Sequence, residues 1–127
     1  MGYESRMYIV EKFDSVHIIE GKPRRFAYLI NMFNMGYIFD QREVRSRFHP
    51  TDCYFYDEGG DALVLEDKYG DPIREIPFIE MINHLKYLKE DLKNTSMSPL
   101  IQPCLDLMNA FNSSESSEKY TLLHYGY

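Results

Sequence analysis

Tryptophan is absent from this sequence, and cysteine is scarce, with only Cys53 and Cys104 and no CxxC pair. No apolar run approaches the roughly 20 residues that a membrane-spanning helix needs, so the pattern argues against a membrane protein. The first residues also lack the charged and then apolar pattern of a secretory leader. Because reduced thiols are typical of the cytosol, these absences favour a cytoplasmic protein with no membrane association.

Basic residues are few as well, since 14 Lys and Arg stand against 20 Asp and Glu, which gives a formal net charge of −6. Nucleic-acid binders usually present basic patches to the phosphates, so this balance disfavours direct nucleic-acid binding. An acidic surface instead suits a partner protein with a basic surface. At 127 residues the chain is long enough to bury a core, and we predict one domain over residues 1–127.

The order of apolar patterns along the chain predicts an α+β fold. Alternating residues predict strands over 3–13 and 16–19, separated by a tight turn at Asp14 and Ser15. A final strand over 119–127 would lie beside the first one and hold both termini in the sheet. We therefore expect an antiparallel sheet of about four to six strands, with two or three helices packed mainly on one of its faces.

Helical spacing of apolar residues recurs in several segments. A first helix is predicted over 23–36, ending at a glycine cap, because one stripe repeats at i, i+3, i+4 and i+7 through Phe26, Leu29, Ile30 and Phe33. Asp40 is a candidate cap for a short helix through residue 47, with an ordered loop as the alternative.

Two longer helices are predicted over 78–93 and within 98–112, separated by a loop at 94–96. Pro103 either kinks the second of these helices or marks its true start. The expected apolar stripes are Phe78, Met81, Ile82, Leu85, Leu88 and Leu92 in the first, and Leu100, Cys104, Leu107, Met108 and Phe111 in the second.

The most strongly patterned stretch spans residues 52–77. Two β-prone runs, 53–56 and 62–65, flank a turn signal at Gly59 and Gly60, and a second turn leads to a third run that ends at Ile76. This pattern predicts an antiparallel meander in the middle of the sheet. The stretch contains no recognisable catalytic or cofactor motif.

Acidic residues and tyrosines are concentrated in that meander and at the C-terminus. Tyrosine offers a large contact area at low entropic cost and is common in interfaces. We predict a protein-binding surface formed by Tyr54, Tyr56, Asp57, Glu58, Asp61, Glu66, Asp67, Tyr125 and Tyr127. The competing interpretation is that the acids serve solubility and edge protection, while the tyrosines stabilise the sheet by cross-strand pairing.

Arginines are clustered in the first half of the chain, where they offer an alternative site. Guanidinium groups bind phosphates through paired hydrogen bonds. A pocket for a nucleotide-type phosphate ligand would be formed by Arg24, Arg25, Arg42, Arg45 and Arg47. The competing interpretation is a set of solvated arginines paired with Asp and Glu.

Catalysis and metal binding have little support in the sequence. The acidic residues follow no calcium-loop pattern. His49, Asp52 and Cys53 are a weak candidate for nucleophilic chemistry, because Cys53 lies in an apolar run that predicts a buried, inert thiol. We therefore expect no enzyme activity, no cofactor and no metal.

The ends of the chain, GYESRMYIVEK and LLHYGY, and the internal segments TDCYFYDEGG and LEDKYGDPIREIP resemble small uncharacterised phage and prophage proteins of Gram-positive bacteria. The resemblance covers most of the chain but carries no functional residues. It implies a small viral accessory protein made in the bacterial host cytosol. Such proteins often block host enzymes or defence systems by binding to them.

Two functional hypotheses follow. The first is a non-enzymatic protein that inhibits or modulates a host protein, including a defence-system protein, through its acidic, tyrosine-rich surface. The second is a sequestering module for a phosphate ligand held by the arginines. Homodimerisation through a free strand edge is left open by the sequence.

Overall fold

The computed structural model describes residues 2–91 and 98–127, and in these ranges the chain has an α+β fold with seven strands and three α-helices. The predicted fold class is confirmed, and both termini lie in strands. The sheet has seven strands where about four to six were expected. In chain order the elements are β1 (Ser5–Ile19), β2 (Lys22–Asn34), α1 (Gln41–Arg47), β3 (His49–Pro50), β4 (Cys53–Tyr56), β5 (Leu63–Val64), β6 (Arg74–Ile76), α2 (Phe78–Asp91), α3 (Ser98–Asn112), a 3-10 turn (Ser117–Lys119) and β7 (Tyr120–Gly126).

The chain divides into two compact units. The first consists of Met1–Ile76 and Lys119–Tyr127 and contains the whole sheet together with α1. The second consists of Pro77–Glu118 and contains α2 and α3. Because the C-terminal strand returns to the first unit, both ends of the chain belong to the sheet.

The strand order of the sheet is β3-β6-β7-β1-β2-β4-β5. The predicted pairing of the last strand with the first is confirmed, since β7 lies antiparallel to β1 from Ser5 to Glu11. The predicted central meander is wrong in two respects. β4 and β5 do pair, but they form one edge of the sheet, and β6 pairs with β7 and β3 on the other side. The centre is instead the hairpin β1–β2 together with β7.

The helix predicted over 23–36 is wrong, because these residues form the strand β2. Glu20 and Gly21 both have positive φ, 53° and 78°, which is the geometry of a two-residue hairpin turn with a right-handed twist. That turn returns the chain antiparallel to β1 over its whole length. Pairing along β1 satisfies the backbone of β2 and overrides the helical spacing of its apolar residues.

β1 is one long strand where two short strands were predicted. The expected turn at Asp14 and Ser15 is an irregularity in the pairing with β2, between Lys12 and Val16. A second irregularity places Ile30 between the partners of Ile9 and Val10. Such bulges bend a strand and increase its twist without ending it.

The short helix after Asp40 is confirmed as α1. The Asp40 side chain accepts a hydrogen bond from the Glu43 amide at 2.7 Å, which satisfies one of the unpaired donors at the helix start. Val44 and Phe48 are buried, as the pattern predicted.

In the second unit, α2 and α3 have the expected buried stripes, with a shift in α3. Phe78, Met81, Ile82 and Leu85 are buried in α2. In α3 the buried residues are Ile101, Leu105 and Met108, and Pro103 lies inside the helix. The predicted continuation of α2 to residue 93, Leu92, the loop 94–96 and the Leu100 side chain lie outside what the structure describes.

One core cluster of the first unit lies on a single sheet face. It contains Tyr8, Val10, Ala27, Cys53, Phe55, Ile73 and Leu123, with Leu29, Met32, Val64 and Tyr125 packed against it. These residues come from β1, β2, β4, β5 and β7 and from the segment before β6. The cluster therefore fixes β4 against the hairpin, which determines where the loop after β4 lies.

Candidate protein-binding site

An aromatic cluster lies on the sheet face opposite that core, at the β4 side. Phe26 of β2 contacts the rings of Phe13, Tyr28, Tyr54 and Tyr56, with centroid distances from 5.1 to 6.4 Å. Aromatic pairs of this kind contribute about 0.5–1.5 kcal/mol each beyond the area they bury. The cluster thus holds Tyr28 and Tyr56, its two exposed tyrosines, in fixed positions at its rim.

Tyr54 and Tyr56 differ in exposure although they share a face. Tyr54 is buried, with 7% of its surface exposed, and contacts His17 and Phe26. Tyr56 is 47% exposed, because β4 ends there. Of this predicted pair, only Tyr56 presents its ring to solvent.

β2 and β4 diverge beyond Tyr54 and leave a shallow groove of about 250 Å³. The two strands pair in parallel only at Arg25–Cys53 and Phe26–Tyr54. We call this space the edge groove; its lining residues are Phe26, Ala27, Tyr28, Leu29, Tyr56, Asp57 and Glu58. It therefore combines two exposed tyrosines with two carboxylates, and none of the described residues that line it is basic.

The carboxylates of the edge groove belong to the acidic loop, residues 57–61, between β4 and β5. The Asp57 side chain accepts hydrogen bonds from the amides of Asp61 at 2.9 Å and Ala62 at 3.3 Å, which holds the loop in shape. Gly60 adopts φ 72°, a conformation that favours glycine. Glu58 and Asp61 are exposed at the surface of this loop.

The acidic loop has a second groove on its other side, of about 220 Å³, lined by Arg6, Tyr8, Met32, Asp57, Glu58 and Gly59. The Arg6 guanidinium lies 3.9 Å from the ring centroid of Tyr127 and 5.8 Å from that of Tyr125. The Lys68 ammonium also lies over the Tyr127 ring, 4.7 Å from its centroid. The rings of the C-terminal tyrosines therefore make cation–π contacts. Arg6, which lines the second groove, is the residue that connects them to the acidic loop.

The predicted tyrosine pairs do not form one surface. β4 and β7 are separated in the sheet by β1 and β2. Tyr125 is half-buried against the core, and burial raises the pKa of its hydroxyl. Tyr127 is exposed but covered on its ring by the Arg6 guanidinium.

Of the remaining predicted acids, Asp67 lies in a closed turn, residues 67–71, between β5 and β6, and Glu66 directly precedes that turn. The Asp67 side chain accepts from the amides of Tyr69 at 2.8 Å and Asp71 at 3.0 Å, and burial raises the pKa of its carboxyl. Glu66, just before the turn, is exposed, and its backbone forms an isolated antiparallel β-bridge with Pro72. The carboxylate of Asp67 is thus used to hold its own backbone.

Arg45 forms an ion pair with Asp71, the other acid of the closed turn. Its guanidinium donates two hydrogen bonds to the Asp71 carboxylate, at 2.9 and 3.1 Å, and Gln41 donates a third at 3.1 Å. The bond from Arg45 lowers the pKa of the Asp71 carboxyl. Tyr3 lies near the Asp71 carboxylate. The pKa of its hydroxyl is raised, chiefly by burial and secondly by the charge of Asp67.

Four of the five predicted arginines are divided between two shallow depressions, and Arg47 lines neither of the two. Arg42 and Arg45 line one with Gln41 and Ser46. Arg24 and Arg25 line another with Val16, Pro23 and Asp52. Three of the five form ion pairs, namely Arg25 with Asp52 at 3.4 Å, Arg45 with Asp71 at 2.9 Å and Arg47 with Glu43 at 3.9 Å.

Cys53 is buried, as the sequence predicted. Burial raises the pKa of Cys53 to about 11, so the thiolate that nucleophilic chemistry needs is disfavoured near neutral pH. Its neighbour Asp52 is paired with Arg25. Within the described ranges, no group of three or more His, Cys, Asp and Glu is arranged to hold a metal ion, and no helix is long and apolar enough to cross a membrane.

Sequence reasoning missed Tyr28, Met32 and Arg6 as parts of the candidate site. Tyr28 is 57% exposed at the rim of the edge groove, and its cross-strand partner on β1 is Glu11. For Tyr28 and Met32 the error follows from the helix assigned to 23–36. The signal that would have found Tyr28 is the alternation of Phe26, Tyr28 and Ile30 after the Glu20-Gly21 turn.

Comparisons of the chain with protein families, with curated proteins and with solved structures find no match. The geometry of the grooves and the charges that line them are therefore the observations that bear on function.

Proposed function

We propose that this chain is a phage-encoded accessory protein that binds a host protein without covalent chemistry and thereby inhibits or modulates it. The observation that supports the proposal is the edge groove, in which exposed tyrosines lie beside two carboxylates and none of the described lining residues is a cation. Aromatic rings supply contact area, and carboxylates supply attraction for a basic surface. The phage context is supported by the resemblance of the chain ends and internal segments described above.

The size and openness of the groove favour protein binding over catalysis. An enzyme pocket is normally a concave cavity with convergent polar groups. The edge groove is shallow, and the charged side chains among its described lining residues are two acids of one loop, one of which is engaged in backbone hydrogen bonds. A groove of this form suits a protruding segment of another protein.

The proposal can be tested by affinity capture from a lysate of a Gram-positive bacterium at moderate salt. The baits are the wild type, a Tyr28→Ser/Tyr56→Ser variant and a control, Tyr87→Ser, which removes an exposed tyrosine of α2. We expect the same basic protein on the wild type and the control, and its loss from the groove variant. Equal capture by all three baits, or no specific capture by the wild type, would contradict the proposal.

A second candidate function, binding of a nucleotide-type phosphate, is favoured by one observation. Arg42 and Arg45 line a depression of about 490 Å³ on α1, where Arg42 is exposed. Calorimetry with a panel of nucleotides tests this candidate. Binding by the wild type that is lost in Arg42→Ala would support it, and no heat with any nucleotide would remove it.

A further inference from the structure

The outer edge of β2 is open beyond its short contact with β4. Across residues 2–91 and 98–127, β4 is the strand that pairs with this side of β2, and it does so only at Arg25 and Phe26. From Tyr28 to Asn34, β2 pairs with β1 on its inner side alone, with Ile30 as a bulge. At about 3.4 Å per residue this leaves roughly 25 Å of strand edge, enough for a segment of seven or so residues.

The open edge carries backbone groups suited to pairing with another strand. The Arg25 amide donates to the Asp52 carbonyl at 2.8 Å, so its backbone faces the β4 side. Because successive residues of a strand face opposite sides, the Leu29 amide faces the same way, where β4 has already diverged. Farther along, the Met32 amide already donates to the side chain of its neighbour Asn31 at 2.8 Å, so Leu29 rather than Met32 offers the amide for pairing.

The grooves lie on both sides of the acidic loop beside this edge. The edge groove contains Ala27 and Leu29 of β2, and the second groove contains Met32 of the same strand. Both grooves are lined by Asp57 and Glu58. A chain that runs along β2 from Ala27 toward Met32 would therefore pass both carboxylates.

We propose that the partner binds as an added β-strand, in which an extended basic segment pairs with the β2 edge and places its cationic side chains at Asp57 and Glu58. Main-chain pairing of this kind supplies affinity, and side chains that alternate along the added strand supply specificity. The inference rests on the proposed function, since it names the mode and chemistry of the same site.

Charge argues against a second copy of this chain as the occupant. Pairing of two β2 edges would bring the Asp57 and Glu58 carboxylates of one copy toward an edge that already carries the same two groups. The chain as a whole has a net charge of −6, which adds to the repulsion. A lysine- or arginine-bearing segment removes this repulsion, because its charges complement the loop.

The probe for the test is a capped octapeptide that alternates valine and lysine. Two derivatives carry N-methyl groups, one on all valines and one on all lysines. In an added strand one alternate set of amides faces β2 and the other faces solvent. Calorimetry at low salt should show that one derivative loses about tenfold or more in affinity while the other stays within about twofold of the parent peptide.

Amide hydrogen exchange provides the second measurement on the intact chain. On addition of the parent peptide the Leu29 amide should exchange about tenfold more slowly, while the Arg25 amide, already bonded to Asp52, should be unchanged. Equal affinities for the two methylated peptides, with no protection of Leu29, would overturn strand addition but leave the proposed function standing if the parent peptide still needs Tyr28 and Tyr56.

Two other outcomes would also overturn the inference. Absence of binding by the parent peptide would remove the basic strand as the occupant. A concentration-dependent dimer in sedimentation, dissociated by the peptide, would assign the edge to a second copy of the chain.

Discussion

The acidic loop, residues 57–61, and the closed turn, residues 67–71, are built in the same way but expose different chemistry. In each, the first aspartate accepts two backbone amides, and a glycine with positive φ completes the bend. In the closed turn, however, the last acid is held by Arg45, and the Lys68 amide donates to the Gly126 carbonyl of β7. The acidic loop has no such partners among its described contacts and leaves Glu58 beside a groove.

The difference shows that the number of acids in a segment does not determine how many can bind a partner. The Asp67 carboxylate is engaged by two backbone amides and the Asp71 carboxylate by Arg45, so both side chains stabilise the fold of the first unit. The charge of Glu58 is available because its loop borders a gap between diverging strands. This contrast predicts different effects of pH and of substitution in the two segments.

The largest expected effect is a loss of stability in mild acid through His124. Tyr3 lies between the closed turn and this histidine, with ring distances of 5.4 Å to Tyr69 and 5.9 Å to His124. Burial, followed by the charge of Arg74, lowers the pKa of His124 from 6.5 to about 4. The unfolded chain binds a proton at higher pH than the folded chain. Stability is therefore fully present above pH 6.5 and declines by about 3 kcal/mol as the pH falls to 4.

Urea unfolding at a series of pH values measures this decline. A His124→Asn variant should show a flatter profile, because the titrating group is gone. The control His17→Asn changes an exposed histidine of the hairpin and should keep the wild-type slope. A wild-type free energy of unfolding that stays constant between pH 7 and pH 4.5 would be inconsistent with a neutral, buried His124.

The next effect is the loss of the Asp67 side chain. Asp67→Ala removes two backbone hydrogen bonds in a half-buried turn and should lower the free energy of unfolding by about 1–3 kcal/mol. Glu58→Ala, in the acidic loop, should change it by less than about 0.5 kcal/mol. Thermal or urea unfolding compares the two variants. Equal destabilisation by the two substitutions would contradict the distinction between Asp67, which stabilises the fold, and Glu58, which is free to contact a partner.

The smallest effect distinguishes the two aspartates of the closed turn by the sign of their pH dependence. Arg45 lowers the pKa of Asp71, so its contribution to stability is present above the unfolded pKa and is lost as the pH falls. Burial raises the pKa of Asp67, so its ionisation reduces stability as the pH rises through the acid range. Relative to the wild type, Asp71→Asn should flatten the acid loss of stability, whereas Asp67→Asn should steepen it. Shifts of the same sign in both variants would contradict this account.

Local signals were sufficient for part of the fold. The α1 helix followed from Asp40 as a cap, and the β4–β5 hairpin followed from Gly59 and Gly60 between β-prone runs. β2 was assigned wrongly because its apolar residues satisfy a helical and an alternating pattern at once. Only the long-range pairing with β1, started by the Glu20-Gly21 turn, decides between the two.

The candidate site was predictable only in composition. Tyr56, Asp57 and Glu58 were named from the sequence and do lie together at the edge groove. The burial of Tyr54 and the occupation of Asp71 depend on Phe26 and Arg45, residues 28 and 26 positions away in the chain. No local pattern reveals which acids such distant side chains will neutralise.

The most direct test of this contrast compares Glu58→Lys with Glu66→Lys in binding the capped valine–lysine octapeptide. Both glutamates are exposed, and both substitutions change the net charge equally, but only Glu58 lines the grooves. Calorimetry at low salt should show a loss of about tenfold or more in affinity for Glu58→Lys and a change within about threefold for Glu66→Lys. Equal losses in the two variants would mean that net charge alone attracts the peptide, and would contradict a site at the acidic loop.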